Sequence, residues 1–250
     1  MPTVSVVVPV LDDADHLRRC LAALAGQSRP ADEVVVVDNG STDDSAAVAR
    51  VAGAVVVHEP VRGIARASSR GYDTASGDVL VRIDADTVLP PHWIEHAVAR
   101  LADRSVAAVT GPGRPHDGGV VAHRVWDAVY MRPYFVLVHA ALARPPLFGS
   151  AMAMRRETWA GVRGRVHRDD PEVHDDVDLS MQLDPAAVVL ADRGLTASVS
   201  ARPLSGVGSV VRRTRRAFHT FAVNGRRANP VRRWARRLRV ALGARWWQGR

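Results

Sequence analysis

The 250-residue sequence has no lysine, one cysteine, no acidic residue after Asp192 and no uninterrupted run of 18 apolar residues. Each absence excludes something. With Cys20 alone, no disulfide can form within the chain, and a reducing compartment is the simplest account. Without a long apolar run, a membrane-spanning helix is not expected. The opening run from Val4 to Leu11 has no basic leader and no small-residue cleavage site, and Asp12 and Asp13 stop it at once. It reads as a strand rather than a signal peptide. The lack of lysine beside so much Ala, Val and Arg suggests a GC-rich genome. The missing acids divide the charge unevenly: 15 Arg lie from Arg193 onward, whereas the preceding residues carry 19 Arg against 26 acids. The formal charge of +8 is therefore an acidic body at −7 followed by a basic tail at +15.

What is present is an alternation. Val4 to Val10 is predicted as a buried strand, followed by an Asp12/Asp13 cap and by Leu17, Cys20, Leu21 and Leu24 at helical spacing. A second strand, Glu33 to Val37, ends at Asp38, and Ser41 is expected to cap the next helix. A third strand over 54–57 leads to a helix over 65–75, and Val79 to Ile83 is the fourth. Strands separated by helices of this length predict a mostly parallel sheet with ligands at its carboxyl ends. Asp38, Asp84 and Asp86 all fall there. A helix over 92–101 and a strand over 106–110 follow, and after Gly111-Pro112-Gly113 the alternation stops. Two short helices broken by Pro133 are expected over 120–142. A strand containing Gly149-Ser150 is expected over 147–154, then a short helix opened by Asp175-Asp176-Val177-Asp178, then a hairpin of 188–190 with 197–199.

The densest chemical signal is Ile83-Asp84-Ala85-Asp86. Side chains two apart at a strand end point the same way, so two carboxylates face one place. Such a pair favours both ionised forms only if a cation bridges them to an anionic ligand. A turn-capping Asp84 with a solvated Asp86 is the plain alternative.

In order, these motifs resemble the family 2 glycosyltransferases of the GT-A fold. They are the first strand with Pro9, then Val37-Asp38-Asn39-Gly40-Ser41-Thr42-Asp43, Gly63 with Gly71, Asp84-Ala85-Asp86, Gly149-Ser150 and Asp175-Asp176-Val177-Asp178-Leu179. The resemblance covers Pro2 to about Leu183. It implies an α/β Rossmann-like sheet flanked by helices, with a GT-A domain over 1–202 split into a nucleotide half (1–110) and an acceptor half (111–202). The basic helical segment is 203–250. It further implies a nucleotide-sugar contact set of Pro9, Val10, Asp13, Asp38, Arg66, Asp84 and Asp86, and a Mn²⁺ or Mg²⁺ ion on Asp86 and Asp84, with His219 as a candidate distal ligand. Asp176 would be the catalytic base, with Gly149, Ser150 and Asp175 on the acceptor side. The activity implied is inverting sugar transfer to a hydroxyl in envelope, lipid or polysaccharide glycoconjugate synthesis. A retaining enzyme and a non-catalytic nucleotide-binding scaffold are the rival readings. Asp12-Asp13 replaces the family's usual Asn-Glu, and Ser69 stands where Asn is usual. The tail lacks the Gln-x-x-Arg-Trp motif of processive synthases, which favours single additions.

The tail, helix-like over 210–223 and 231–242 with Trp246-Trp247 beyond, mixes Arg with Phe and Trp. That composition suits an anionic membrane surface, or packing of Phe218, Phe221 and Trp234 on the body. RNA is disfavoured by the acidic body. The location expected is cytoplasmic, peripheral on the inner face of the cell membrane, with a lipid-linked acceptor among the candidates.

Overall fold

The computed structural model describes residues 1–116, 118–201 and 207–247. Seven strands form one sheet: β1 (Val4–Val10), β2 (Glu33–Asp38), β3 (Val55–His58), β4 (Val79–Arg82), β5 (Val106–Thr110), β7 (Met152–Arg155) and β8 (Val188–Ala191), in the order β3-β2-β1-β4-β7-β5-β8. All neighbours are parallel except β7, which runs antiparallel between β4 and β5. A parallel two-stranded sheet pairs β6 (Gly113–Pro115) with β9 (Ala197–Val199).

The apolar runs become central strands because both faces of the sheet are covered. On β1, Val4, Val6, Val8 and Val10 point into one core with helices α1 (Ala14–Ala25) and α4 (Trp93–Leu101). Val7, with Val35, Val37 and Leu80, points into the other, beneath α3 (Ile64–Thr74). Period-two alternation thus divides one stretch of valines between two cores. Helix α3 lies unusually close to the sheet: a Cβ at Gly71 would sit 2.2 Å from Val7 Cγ1, so no larger residue fits there.

Several boundaries differ from those expected. Ser41 does not cap a helix: α2 spans Ser45–Val51, and Ser41 instead donates its N–H to Asp38 and accepts from Asp12 N. Asp13 precedes α1 without a side-chain cap bond and faces His16 Nδ1 at 2.7 Å. Pro133 breaks nothing. Helices α5 (Val120–Trp126) and α6 (Arg132–Leu142) are joined by a π-helical turn over Asp127–Met131. Pro133 sits in the first turn of α6, where its missing N–H is tolerated. The segment 188–199 is not a hairpin, because β8 pairs with β5 and β9 with β6. Gly149-Ser150 lies in the turn before β7 rather than inside a strand.

Helix α7 (Arg156–Val162) is followed by a loop and by α8 (Asp175–Gln182). The tail forms α9 (Val207–Asn224) and α10 (Pro230–Trp247). The boundary expected at 202/203 and the side chains of Trp246 and Trp247 lie outside the described residues. Both tail helices pack on the body. Asn224 bonds Asp178 and Gln182, and buried Arg233 donates to the carbonyls of Leu142, Met181 and Arg227. Phe221 joins a small core with Leu142, Val177 and Met181, and Trp234 donates to Ala140 O. Phe218, by contrast, is exposed.

Candidate active site

A cleft of about 1040 Å³ opens at the carboxyl ends of β1 and β4, the position expected for a ligand site in an open α/β sheet. One wall contains Pro9, Val10 and Asp13 after β1, and Asp84 and Asp86 after β4. The far side contains Ser150, Asp175 and Asp176, with Trp126, Tyr130 and Tyr134 from the α5–α6 run. A third wall comes from the tail, where Arg212, Arg213 and Phe218 of α9 line the same space.

Strand β4 ends at Arg82, so Asp84 and Asp86 sit on a turn, closed by Thr87 N to Asp84 O at 3.0 Å. It is this turn, rather than strand alternation, that sends both carboxylates to one cleft. Asp84 is engaged on both oxygens: Oδ1 lies 2.8 Å from Arg82, and Oδ2 accepts from Ser150 Oγ.

Beneath the carboxylates lies Arg82, which the motif reading missed. Its guanidinium, 4% exposed, also contacts Asp175 at 3.3 Å. Burial disfavours its charge, but Asp175 and Asp84 outweigh that and hold it protonated more firmly than an ordinary arginine. Gly149 makes room for it, since a Cβ there would fall 1.4 Å from Arg82 Nη1. The signal was visible as a single charge in the apolar run Val79-Leu80-Val81-Arg82-Ile83. Asp175 also accepts from Ser68 Oγ at 2.8 Å. Burial pushes its carboxyl above the usual range, Arg82 pulls it back, and the like charge of Asp176 adds to the rise.

Asp176 is held differently. Its Oδ2 accepts from Gly149 N at 2.9 Å and its Oδ1 from Val177 N at 2.7 Å, which fixes the carboxylate plane on the cleft wall. Asp178, two residues on, points away from the cleft. It is buried and accepts from His167 N and Asn224 Nδ2, so it ties α8 to the preceding loop and to α9.

Four other expected residues are not on the cleft wall. Asp38 is buried at the end of β2 and accepts from Ser41 N at 2.9 Å. Arg66 is paired with Asp169 at 2.7 Å. Gly149 contributes its N–H to Asp176 rather than a surface. His219 lies 2.6 Å from Asp170 Oδ2, which removes it from the Asp84/Asp86 pair. Among the described residues no group of three or more His, Cys, Asp or Glu side chains could hold a metal ion. Two hard carboxylates alone fit an ion that keeps waters and takes its other oxygens from substrate phosphates, as Mg²⁺ and similar cations do.

A mixed sheet with an acid pair after β4 and an acidic helix facing it is the GT-A arrangement, and solved GT-A enzymes superpose on the chain. The mannosyltransferase PcManGT of Pyrobaculum calidifontis, solved with GDP-Man and Mn²⁺, matches with a TM-score of 0.69 and 26% identity over 89% of this chain and 64% of its own. Glucosyl-3-phosphoglycerate synthase of Mycobacterium tuberculosis shares the fold, with a TM-score of 0.64 and 24% identity over 89% of this chain and 80% of its own. Residues 5–160 match Glycosyl transferase family 2, and the chain belongs to that family. Relatives include glycosyltransferase AglE of Haloferax volcanii, 31% identical over 44% of this chain. An uncharacterized glycosyltransferase of Mycobacterium bovis is 39% identical over 50%. The chain spans 39% and 54% of the lengths of these two relatives.

Proposed function

We propose that the protein is an inverting, divalent-metal-dependent glycosyltransferase that moves a sugar from a nucleotide donor to an acceptor hydroxyl. The observation that carries this reading is the Asp176 carboxylate, oriented by the Gly149 and Val177 N–H groups on the same cleft as Asp84 and Asp86. Pro9, Val10 and Asp13 would line the nucleotide; Asp38, set back from the cleft, would support that side by holding Ser41 N, and Arg66 is held by Asp169 of the loop before α8. A divalent cation at Asp86, with Asp84 beside it, would neutralise charge on the leaving diphosphate.

Asp176 takes the proton as the acceptor O–H bond breaks, and the oxygen forms its bond to the anomeric carbon from the face opposite the diphosphate. The bond from that carbon to the diphosphate oxygen breaks, and its electron pair leaves with the phosphate. In-line displacement inverts the configuration. Arg82, which also lines the cleft, holds Asp84 and Asp175 in place, and Ser150 fixes the second oxygen of Asp84. A role in envelope glycoconjugate synthesis at the inner face of the membrane fits a chain whose described helices are not long and apolar enough to cross one but whose tail is strongly basic.

The test is a thermal-shift screen of nucleotide sugars with Mn²⁺ and Mg²⁺, followed by anomeric analysis of the product. Stabilisation by one nucleotide sugar only when metal is present, and an inverted product, are expected. A product of retained configuration would remove Asp176 from its role as base.

A further inference from the structure

The donor half of the cleft is acidic, yet α9 sets two guanidinium groups against it. On the same helix Arg215 and Arg216 are paired with Glu172. Arg212 and Arg213 are not paired with any carboxylate among the described residues, Arg213 reaching only the Tyr130 hydroxyl at 3.5 Å, and both line the cleft. Two adjacent cations with no carboxylate partner among the described residues suit an acidic group from outside.

The wall beside them is apolar and continues out of the cleft. Val129 (64% exposed), Leu137 (67%) and Phe218 (73%) line the cleft and are also among the most exposed apolar side chains of the molecule. Val121 and Val125 extend the row along α5 at helical spacing, and the π-helical turn carries it into α6. A soluble protein seldom leaves so continuous an apolar ridge bare. Here it leads from solvent to Arg212 and Arg213.

We propose that the acceptor is an anionic lipid, its acidic headgroup held between Arg212 and Arg213 and its hydrocarbon lying on Val129, Leu137 and Phe218. This rests on the transferase reading and names its acceptor class. Charge complementarity selects an acid, and the ridge selects a hydrocarbon. A free phosphate would meet only the first requirement, and an uncharged lipid only the second.

The test uses the full chain and two soluble probes, dihexanoyl phosphatidylglycerol below its micellar concentration and glycerol 3-phosphate, each titrated by calorimetry with UDP or GDP and Mn²⁺ present. The short-chain lipid is expected to bind at least tenfold more tightly than glycerol 3-phosphate. Phe218→Asp, Leu137→Asp and the double variant Arg212→Ala/Arg213→Ala should each weaken it tenfold or more. Arg232→Ala/Arg239→Ala, which removes the same charge from α10, should leave it unchanged. Co-sedimentation with phosphatidylcholine vesicles, with and without phosphatidylglycerol, should follow the same order.

Equal binding of the two probes, or equal loss in the α10 control, would overturn the proposal. Nucleotide affinity is measured on every variant. Nucleotide binding without lipid binding sinks this inference and leaves the transferase reading standing, whereas lipid binding without nucleotide binding sinks the transferase reading.

Discussion

The two sides of the cleft are held in place by different means. On the proposed donor side, Pro9, Val10 and Asp13 follow β1, and Asp84 and Asp86 follow β4, two buried neighbours locked in register from Val4↔Val79 to Val7↔Arg82. On the proposed acceptor side, Asp175 and Asp176 ride on an eight-residue helix whose position depends on distant partners. Those partners are Ser68, Arg82 and Gly149, together with α9 through His174 N to Thr220 Oγ1 and Asn224 to Asp178. A proposed donor site built on paired central strands keeps its geometry whatever is attached downstream. A proposed acceptor site built from long-range bonds can be re-aimed by changing the elements that hold it.

The sharpest way to separate the sides is Asp176→Asn. Asn keeps the size and can still accept from Gly149 N, but it cannot take the acceptor proton. Transfer is expected to fall by roughly 10²–10⁴-fold while calorimetric donor affinity stays near wild type. A parallel loss of donor binding would mean that the two sides are one unit.

Asp86→Ala is the converse. The divalent-dependent part of donor affinity should disappear, so that titrations with Mn²⁺ and with chelator give the same value. Unchanged metal dependence would place the cation elsewhere.

Arg233→Ala asks whether the tail belongs to the fold. Arg233 is 3% exposed and satisfies three carbonyls, so its loss leaves buried acceptors without partners and a cavity. A loss of about 2–4 kcal/mol in denaturant unfolding is expected, far above that of a surface arginine. A change under about 0.5 kcal/mol would make α10 a loosely attached segment, as a membrane-only role would require.

The same contrast explains what could be read before the structure. The first four strands and α3 were legible because each is a local pattern, apolar runs punctuated by Asp, Asn-Gly and Gly. Asp13, Asp84 and Asp86 were legible because they follow two of those runs, whereas Asp175 and Asp176, on α8, were legible only through the motif resemblance. Ser41 misled because Asp-Asn-Gly-Ser-Thr-Asp offers several cap-like side chains: the Ser41 and Thr42 hydroxyls bond across the loop to Asp12, and it is Asp43 that accepts from Ser45 N at the start of α2 and from Ala14 N at the start of α1. The false hairpin at 188–199 arose because strand partners depend on distance along the chain, which local turn residues do not reveal: β8 and β9 each pair with strands about 80 residues earlier. Arg82 was overlooked because a charge in a strand carries meaning only once its partners, Asp84 and Asp175, are placed around it. The wall that α9 contributes had no motif at all, since its cleft residues are ordinary Arg and Phe whose role comes from where the helix docks.

The smallest expected effect tests how α9 steadies the acceptor side. Asp170 meets His219 at 2.6 Å, and Glu172 meets Arg215 and Arg216, so α9 grips the loop that leads into Asp175 and Asp176. Burial alone would raise the Asp170 carboxyl, but the bonds from His219 and from Glu172 N hold it below its ordinary value on balance. A carboxyl depressed in the fold stabilises above its unfolded value of about 3.9 and stops doing so as the pH falls through the lower folded value. The grip is therefore intact at neutral pH. His219→Ala should cost under about 1 kcal/mol at pH 7, because the pair is partly exposed, and that difference from wild type should shrink as the pH is lowered below about 4. Turnover should fall modestly, by less than about tenfold, with donor affinity unchanged, because the loosened loop leads into the helix that carries Asp176 and contains none of the proposed donor wall. Equal stability losses for His219→Ala at pH 7 and at pH 3 would show that packing of the imidazole, rather than its bond to Asp170, is what α9 uses at this point.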